Sequence, residues 1–382
     1  MAFRLPTHVT VAPGCIHSVA DAVLAHGCQR VMLVLDEGLR ATPWPDQAVK
    51  LLHAAGLVVD VQDAVEPNPR YQTIDKMAAH GRDEGIEFVI GLGGGSVLDA
   101  AKAVSMLLRN PGSCLDYEGK NQFTEGTVPF VAIPTTCGTG SEVTWVSVIS
   151  HAGQQRKLSV KGDAMFPDVA LVDPDLLQTL PAHLVAYTGM DALTHAVEAY
   201  TVALHNPVSD ALAEKAVVLL FTHLRRLYED MHDEAARFAV MRASTLAGMA
   251  FGNADVGGVH CLSETLGGIW DVPHGLANAM LLAPVMRYHA PVVAPRLSAL
   301  YALVNPGMRV LGVEEGAEAF LDAVNALAVA LHVPAFASLD IPEEMYPQIA
   351  AGAVANNSNA SNPQPMAEAD YLHILTTIGA TG

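Results

Sequence analysis

Basic residues are scarce in this chain. Its 382 residues hold 21 Lys and Arg against 40 Asp and Glu, a formal net charge of −19. With no basic tract to meet phosphates, binding to nucleic acid or to an anionic membrane surface is disfavoured. Cysteine is also sparse. The five thiols, Cys15, Cys28, Cys114, Cys137 and Cys261, are scattered and form no CxxC pair. An odd, unpatterned set fits reduced thiols in a reducing compartment, each read first as a small buried side chain. Long apolar runs are missing as well. None reaches the ~18–20 uninterrupted residues of a membrane span. The opening Met1-Ala2-Phe3-Arg4-Leu5-Pro6 has no charged segment followed by an apolar signal core. The expectation is a cytoplasmic protein. No repeat, low-complexity tract or disordered linker is evident, and the polar run from Asn356 to Pro363 reads as a local loop.

What is abundant is apolar substance, at 51% of residues. The length exceeds what one core usually organises and points to two domains. Short continuous apolar runs dominate the first half: Val31–Leu35 ending at Asp36, Leu57–Val61, Phe88–Leu92, Phe130–Ile133 and Val169–Val172. Helical stretches such as Tyr71 to Gly85 separate several of them. Buried strands alternating with helices predict a parallel sheet covered on both faces. From about Pro181 the β runs disappear and long Ala/Leu-rich segments take over. The expected organisation is an α/β dinucleotide-binding domain over residues 1–180 and an all-α domain over 181–382.

The most informative stretch lies at the start of that second half, Gly189 to Tyr200. Asp191 and His195 are four residues apart in a run with helical propensity, so both side chains share one helical face. A second segment, Val256 to Gly268, carries His260 in an apolar, glycine-rich setting. A third, Val272-Pro273-His274-Gly275, sets an imidazole between two residues that punctuate the backbone and so aim it. One carboxylate and three imidazoles suit a divalent first-row metal, Fe²⁺ or Zn²⁺. Asp191, His195, His260 and His274 are therefore the candidate metal ligands. Taken singly, each also reads as a surface pair or a hydrogen-bonded core histidine.

A phosphate cradle is the second candidate site. Gly93-Gly94-Gly95-Ser96 follows the third apolar run and leads into a helical stretch. Glycines let backbone approach a ligand, and the N–H groups at a helix start can hold a pyrophosphate. This is not the GxGxxG fingerprint, and a tight βα turn would use the same residues. Thr135, Thr136, Thr139 and Ser141 follow the fourth run and offer hydroxyls to a cofactor phosphate or ribose. Asp36, at the end of the first clear run, could accept the ribose 2′-OH and repel a 2′-phosphate, which favours NAD over NADP. It could equally cap a helix.

Together these segments resemble the iron-activated, or group III, alcohol dehydrogenase family. The resemblance spans nearly the whole chain: the early run ending at Asp36, Glu66-Pro67-Asn68-Pro69, Gly93–Ser96, Ile133–Thr136, Thr188–Tyr200 and Val259–Asn278. It implies the dehydroquinate-synthase-like architecture of an N-terminal dinucleotide-binding domain and a helical C-terminal domain, with the active site in a cleft between them. It implies that the Asp191, His195, His260 and His274 quartet holds iron. It implies that Gly94, Gly95 and Ser96 contact the pyrophosphate, that Asp36 meets the adenosine ribose, and that Thr135, Thr136 and Thr139 lie along the cofactor. Asn68 and Asp99 match positions near the cofactor, and Phe251 and Trp145 are candidates for a substrate wall.

One departure stands out. Many relatives carry a second histidine four residues after the position of His260, and here that position is Glu264. A carboxylate can also accept and return a proton, so Glu264 and His274 are the candidate catalytic residues. The activity implied is metal-dependent hydride transfer between the oxygen-bearing carbon of an alcohol and the nicotinamide of NAD, interconverting the alcohol with an aldehyde or ketone, by a homo-oligomer. Two alternatives are a maleylacetate reductase and a dehydroquinate-synthase-like lyase. Both take anionic substrates, yet no Lys or Arg occurs between Arg242 and Arg287.

Overall fold

The computed structural model describes residues 3–380 apart from 308 and 310. The chain divides into two compact units, one formed by Arg4–Leu180 and one from Pro181 onward.

In the first unit, apolar runs form a six-stranded sheet. Its strands are β1 (His8–Val11), β2 (Arg30–Asp36), β3 (Val58–Val65), β4 (Phe88–Gly93), β6 (Phe130–Pro134) and β9 (Val169–Val172), in the order β1-β9-β6-β4-β2-β3. Every pairing in it is parallel. Side chains alternate between the two faces. Met32, Val34, Val89 and Ala132 pack in one core with Ile74 and Met77 of α3 (Tyr71–Asp83) and Leu98 and Val104 of α4 (Gly95–Leu107). Val31, Leu33, Leu35, Ile90 and Ile133 pack in another with Val19 and Val23 of α1 (Val19–Leu24) and Ala48 and Leu52 of α2 (Trp44–Ala54). Both faces are covered, which is why the inner strands β2, β4, β6 and β9 are largely apolar, whereas the edge strands β1 and β3 carry polar residues.

Sheet growth reverses at β2: β3 is added on one side and β4 on the other. The connections leaving the C-terminal ends of β2 and β4 therefore diverge and leave a crevice, where ligands bind in open α/β sheets. Asp36 ends one of these strands and Gly93 the other.

The five apolar runs are all strands. Four others escaped the pattern: β1, and the small sheet formed by β5 (Gly119–Lys120), β7 (Val146–His151) and β8 (Arg156–Lys161). β7 and β8 form an antiparallel hairpin in which Ser and Lys alternate with apolar residues. Such short, polar strands give little hydrophobic signal.

The second unit is helical, with no strand among its described residues. Its helices are α5 (Ala182–Thr201), α6 (Pro207–Glu229), α7 (Glu234–Phe251), α8 (Gly258–Ile269), α9 (His274–Val304), α10 (Val313–Ala330), α11 (Tyr346–Ala355) and α12 (Glu368–Gly379). α5 packs against α6, α7 and α9, and α8 packs against α9 and α11. Every residue of α5 from Gly189 to Thr201 is buried, so its polar residues lie inside the unit. The polar run at Asn356–Pro363 is more than a loop: Asn357–Ser361 forms a 3₁₀ turn capped by Asn356. Ser358 and Ser361 donate to the Asp255 carboxylate, and Tyr371 donates to Asn359.

Candidate functional site

The second unit brings four distant side chains together. Asp191 and His195 lie one turn apart on α5, His260 in the first turn of α8, and His274 is the first residue of α9. One donor atom from each lies within 4.8 Å of the other three. The Nε2 atoms of His195 and His260 are 3.0 Å apart. Asp191 Oδ1 is 3.8 Å from His195 Nδ1 and 3.7 Å from His274 Nε2. Three of the four side chains are at most 5% exposed, whereas His274 is 26% exposed. Burial pushes the Asp191 carboxyl up, but the three imidazoles and the Asn278 amide outweigh it and hold the group below its ordinary value.

Glycines set the approach of these elements by their size. A Cβ on Gly275 would lie 2.6 Å from the Tyr187 carbonyl, so the Pro-His-Gly start of α9 can close on α5 only without a side chain there. A Cβ on Gly257 would come 3.3 Å from Glu198 Oε1 and 2.9 Å from Asn362 Oδ1. That close approach brings the start of α8 onto Glu198. The fully buried Glu198 accepts from His260 Nδ1 at 2.5 Å and from the Val259 N–H at 2.8 Å. With its Nδ1 proton on Glu198, His260 turns a lone pair on Nε2 toward His195. Burial pulls the His260 imidazole down, yet the Glu198 and Asp191 carboxylates prevail and raise it above its ordinary value. Phe251 stacks on His195 with ring centroids 4.3 Å apart. Glu264, one turn beyond His260 on α8, accepts from Asn356 Nδ2 through Oε2 at 2.7 Å.

The first unit gathers the other candidates. Gly94 caps α4, and its loop packs against the residues after β6. Thr135 N–H donates to the Gly93 carbonyl, and a Cβ on Gly95 would lie 2.4 Å from Thr139 Cγ2. Gly94, Gly95, Ser96, Thr136 and Thr139 are all partly exposed, whereas Thr135 is buried. Asp36 caps the short turn after β2 by accepting from the Leu39 N–H at 3.0 Å, and burial raises its carboxyl. Asn68 adopts a left-handed backbone at φ 56° between two prolines.

Asp99 is partly exposed and has partners within the protein. Ser141 donates to its Oδ1 at 2.6 Å and Val148 N–H to its Oδ2 at 2.9 Å, while the buried Lys102 ammonium lies 3.6 Å away. Lys102 also donates to Ser141, Thr144 and the Val146 carbonyl. This cluster ties α4 to the β7–β8 hairpin. Trp145, beside it, has the Lys120 ammonium 4.6 Å from its ring centre.

Two family descriptions match the chain, "Iron-containing alcohol dehydrogenase" over residues 6–174 and the C-terminal region of the same family over residues 185–379. The chain belongs to the iron-containing alcohol dehydrogenase family. It is 35% identical to 1,3-propanediol dehydrogenase of Klebsiella pneumoniae over 376 residues, which is 98% of this chain and 97% of that one. A solved 1,3-propanediol oxidoreductase superposes with a TM-score of 0.96 at 34% identity, covering 99% of both chains. A sulfoacetaldehyde reductase from Bifidobacterium kashiwanohense, solved in complex with NAD⁺, superposes with a TM-score of 0.90 at 27% identity, covering 100% of this chain and 99% of that one.

This iron-containing alcohol dehydrogenase is an NAD-linked, metal-dependent oxidoreductase. Its donor set fits iron: three imidazoles and one carboxylate converge, three of the four buried. The pattern of ligands read from spacing left out two neighbours. Glu198 continues the polar stripe of α5, three residues beyond His195, and Asn278 repeats the helical spacing from His274 on α9. Those stripes through otherwise apolar helices were the available signal.

Proposed function

We propose that Asp191, His195, His260 and His274 hold Fe²⁺, with Zn²⁺ as the chemical alternative, and that the enzyme interconverts small alcohols with aldehydes or ketones. The observation that carries this reading is the convergence of four donor atoms within 4.8 Å in the helical unit. The bound cation supplies Lewis acidity that eases loss of an alcohol proton, and the nicotinamide exchanges the hydride.

The chain's own residues do the rest. Glu198 fixes the tautomer of His260 and keeps its Nε2 turned inward, as an outer carboxylate does for a metal-bound imidazole. Glu264, anchored through Oε2 by Asn356, uses Oε1 to accept and return the substrate proton. The partly exposed His274 forms the solvent side of the centre, where substrate enters.

In the α/β unit, Gly94, Gly95 and Ser96 at the start of α4 face the pyrophosphate. Thr135, Thr136, Thr139 and Asn68 line the cofactor. Asp36 accepts from the adenosine ribose and disfavours a 2′-phosphate. Asp99, partly exposed beside the phosphate cradle, lies near the cofactor and also anchors α4. We place the enzyme in the cytoplasm as a homo-oligomer, without nucleic-acid or membrane partners. Five buried thiols, a net charge of −19 and exposed apolar side chains such as Leu204 and Val329 support this.

The test is reconstitution. Metal-stripped full-length protein is supplied anaerobically with Fe²⁺ or Zn²⁺ and assayed by nicotinamide absorbance on a panel of alcohols and carbonyls with NAD(H) and NADP(H). The reading predicts activity that depends on Fe²⁺ and prefers NAD(H). Equal turnover without metal would refute it.

A further inference from the structure

Asn278 is completely buried, one helical turn beyond His274 on α9. Its amide nitrogen lies 2.6 Å from Asp191 Oδ1, 3.2 Å from His260 Nε2 and 3.2 Å from His274 Nε2. One neutral side chain thus touches three of the four donor groups. The orientation of its amide follows from chemistry. With oxygen and nitrogen exchanged, two acceptors would face each other across the shortest of these contacts, so the nitrogen points to the carboxylate. The amide oxygen has no hydrogen-bond partner in the interior. A buried, unpaired carbonyl costs free energy that a leucine of similar size would avoid. The fold tolerates that cost at the one place where an N–H meets Asp191.

We propose that Asn278 is a positioning residue of the metal centre. Its N–H donates to Asp191 Oδ1, the carboxylate oxygen that also lies 3.8 Å from His195 Nδ1 and 3.7 Å from His274 Nε2, and so holds that oxygen toward the imidazole donors. The bond is charge-assisted and short, so it also restrains rotation of the carboxylate. Because His274 and Asn278 share one face of α9, the same contact keeps the His274 imidazole aligned with a carboxylate on α5. This proposal rests on the metal reading of the quartet.

The test is Co²⁺ titration of the full-length chain, followed by visible ligand-field absorption and by chelator competition, for wild type, Asn278→Leu, Asn278→Ala and Asp191→Asn. The proposal predicts one tight site in the wild type. Both Asn278 variants should bind Co²⁺ about 10–100-fold more weakly, with an altered ligand-field band. Their melting temperatures without metal report any loss of fold separately. Having two variants of different size keeps the test open if one of them misfolds. If affinity and spectrum are unchanged in both, the proposal is overturned, whatever the melting temperatures do. A wild type that binds no Co²⁺, or an Asp191→Asn protein that binds as well as wild type, would instead overturn the metal reading beneath it.

Discussion

Glu198→Gln is the perturbation that asks most of the metal centre while changing the least shape. The carboxylate is shared by two donors, His260 Nδ1 at 2.5 Å and the Val259 N–H at 2.8 Å. A glutamine can still accept from one of them. Its other terminus is an N–H₂ group, which prefers an imidazole whose Nδ1 is unprotonated. That tautomer carries its proton on Nε2, where a ligand must offer a lone pair. Loss of such an outer partner costs ~10–100-fold in metal affinity, which is ~1.4–2.7 kcal/mol at ~1.4 kcal/mol per tenfold. Stability without metal should change less, because removing a fully buried charge also relieves its desolvation. Glu198→Ala should go further and cost ~3–5 kcal/mol of fold stability, since it leaves buried donors without a partner. The assay is chelator competition for Fe²⁺ in the full-length protein, with melting curves of the metal-free form alongside. A Glu198→Gln enzyme that holds iron as tightly as wild type would refute the claim that this carboxylate prepares His260 for a cation.

Other outcomes follow from buried groups elsewhere. Burial lowers the His289 imidazole from 6.5 to about 4. The unfolded chain therefore takes up this proton as pH falls below about 6.5, while the folded chain resists it down to about 4. Up to ~3 kcal/mol of stability should be lost across that window, and His289→Leu should flatten the loss in denaturant titrations at several pH values. Lys102→Met removes the buried cation beside the partly buried Asp99 and should cost ~3–5 kcal/mol in urea unfolding. Gly95→Ala drives a methyl group into Thr139 and should cost ~1–3 kcal/mol. Most of it should appear as a raised KM for NAD with unchanged iron affinity.

The central strands were legible because both of their faces are buried. β2, β4, β6 and β9 are almost entirely apolar. The β7–β8 hairpin was not legible, since one residue in two is polar and each strand has only six residues. The four side chains that cluster in the helical unit could be read from helical spacing, a glycine-rich setting and the Pro-His-Gly context. Their supports could not be ranked from sequence, because Glu198 and Asn278 differ from other polar residues only in what they face. Asp99 shows the reverse case. It sits beside the phosphate cradle, and Ser141, Val148 of the hairpin and Lys102 of its own helix contact it, partners not visible in the sequence pattern. The glycines at 93–95 and 275 were expected to serve through backbone freedom or ligand approach. None of them has a positive φ; a Cβ on Gly93, Gly95 or Gly275 would crowd a neighbouring atom, and one on Gly94 would lie 3.1 Å from Thr136 Cγ2.

The most direct measurement is anomalous diffraction at the iron edge from crystals of the full-length protein grown anaerobically with Fe²⁺. The account predicts one strong peak in the helical unit, within ligand distance of Asp191, His195, His260 and His274. No peak there, or iron bound at other residues while these four point apart, would contradict it.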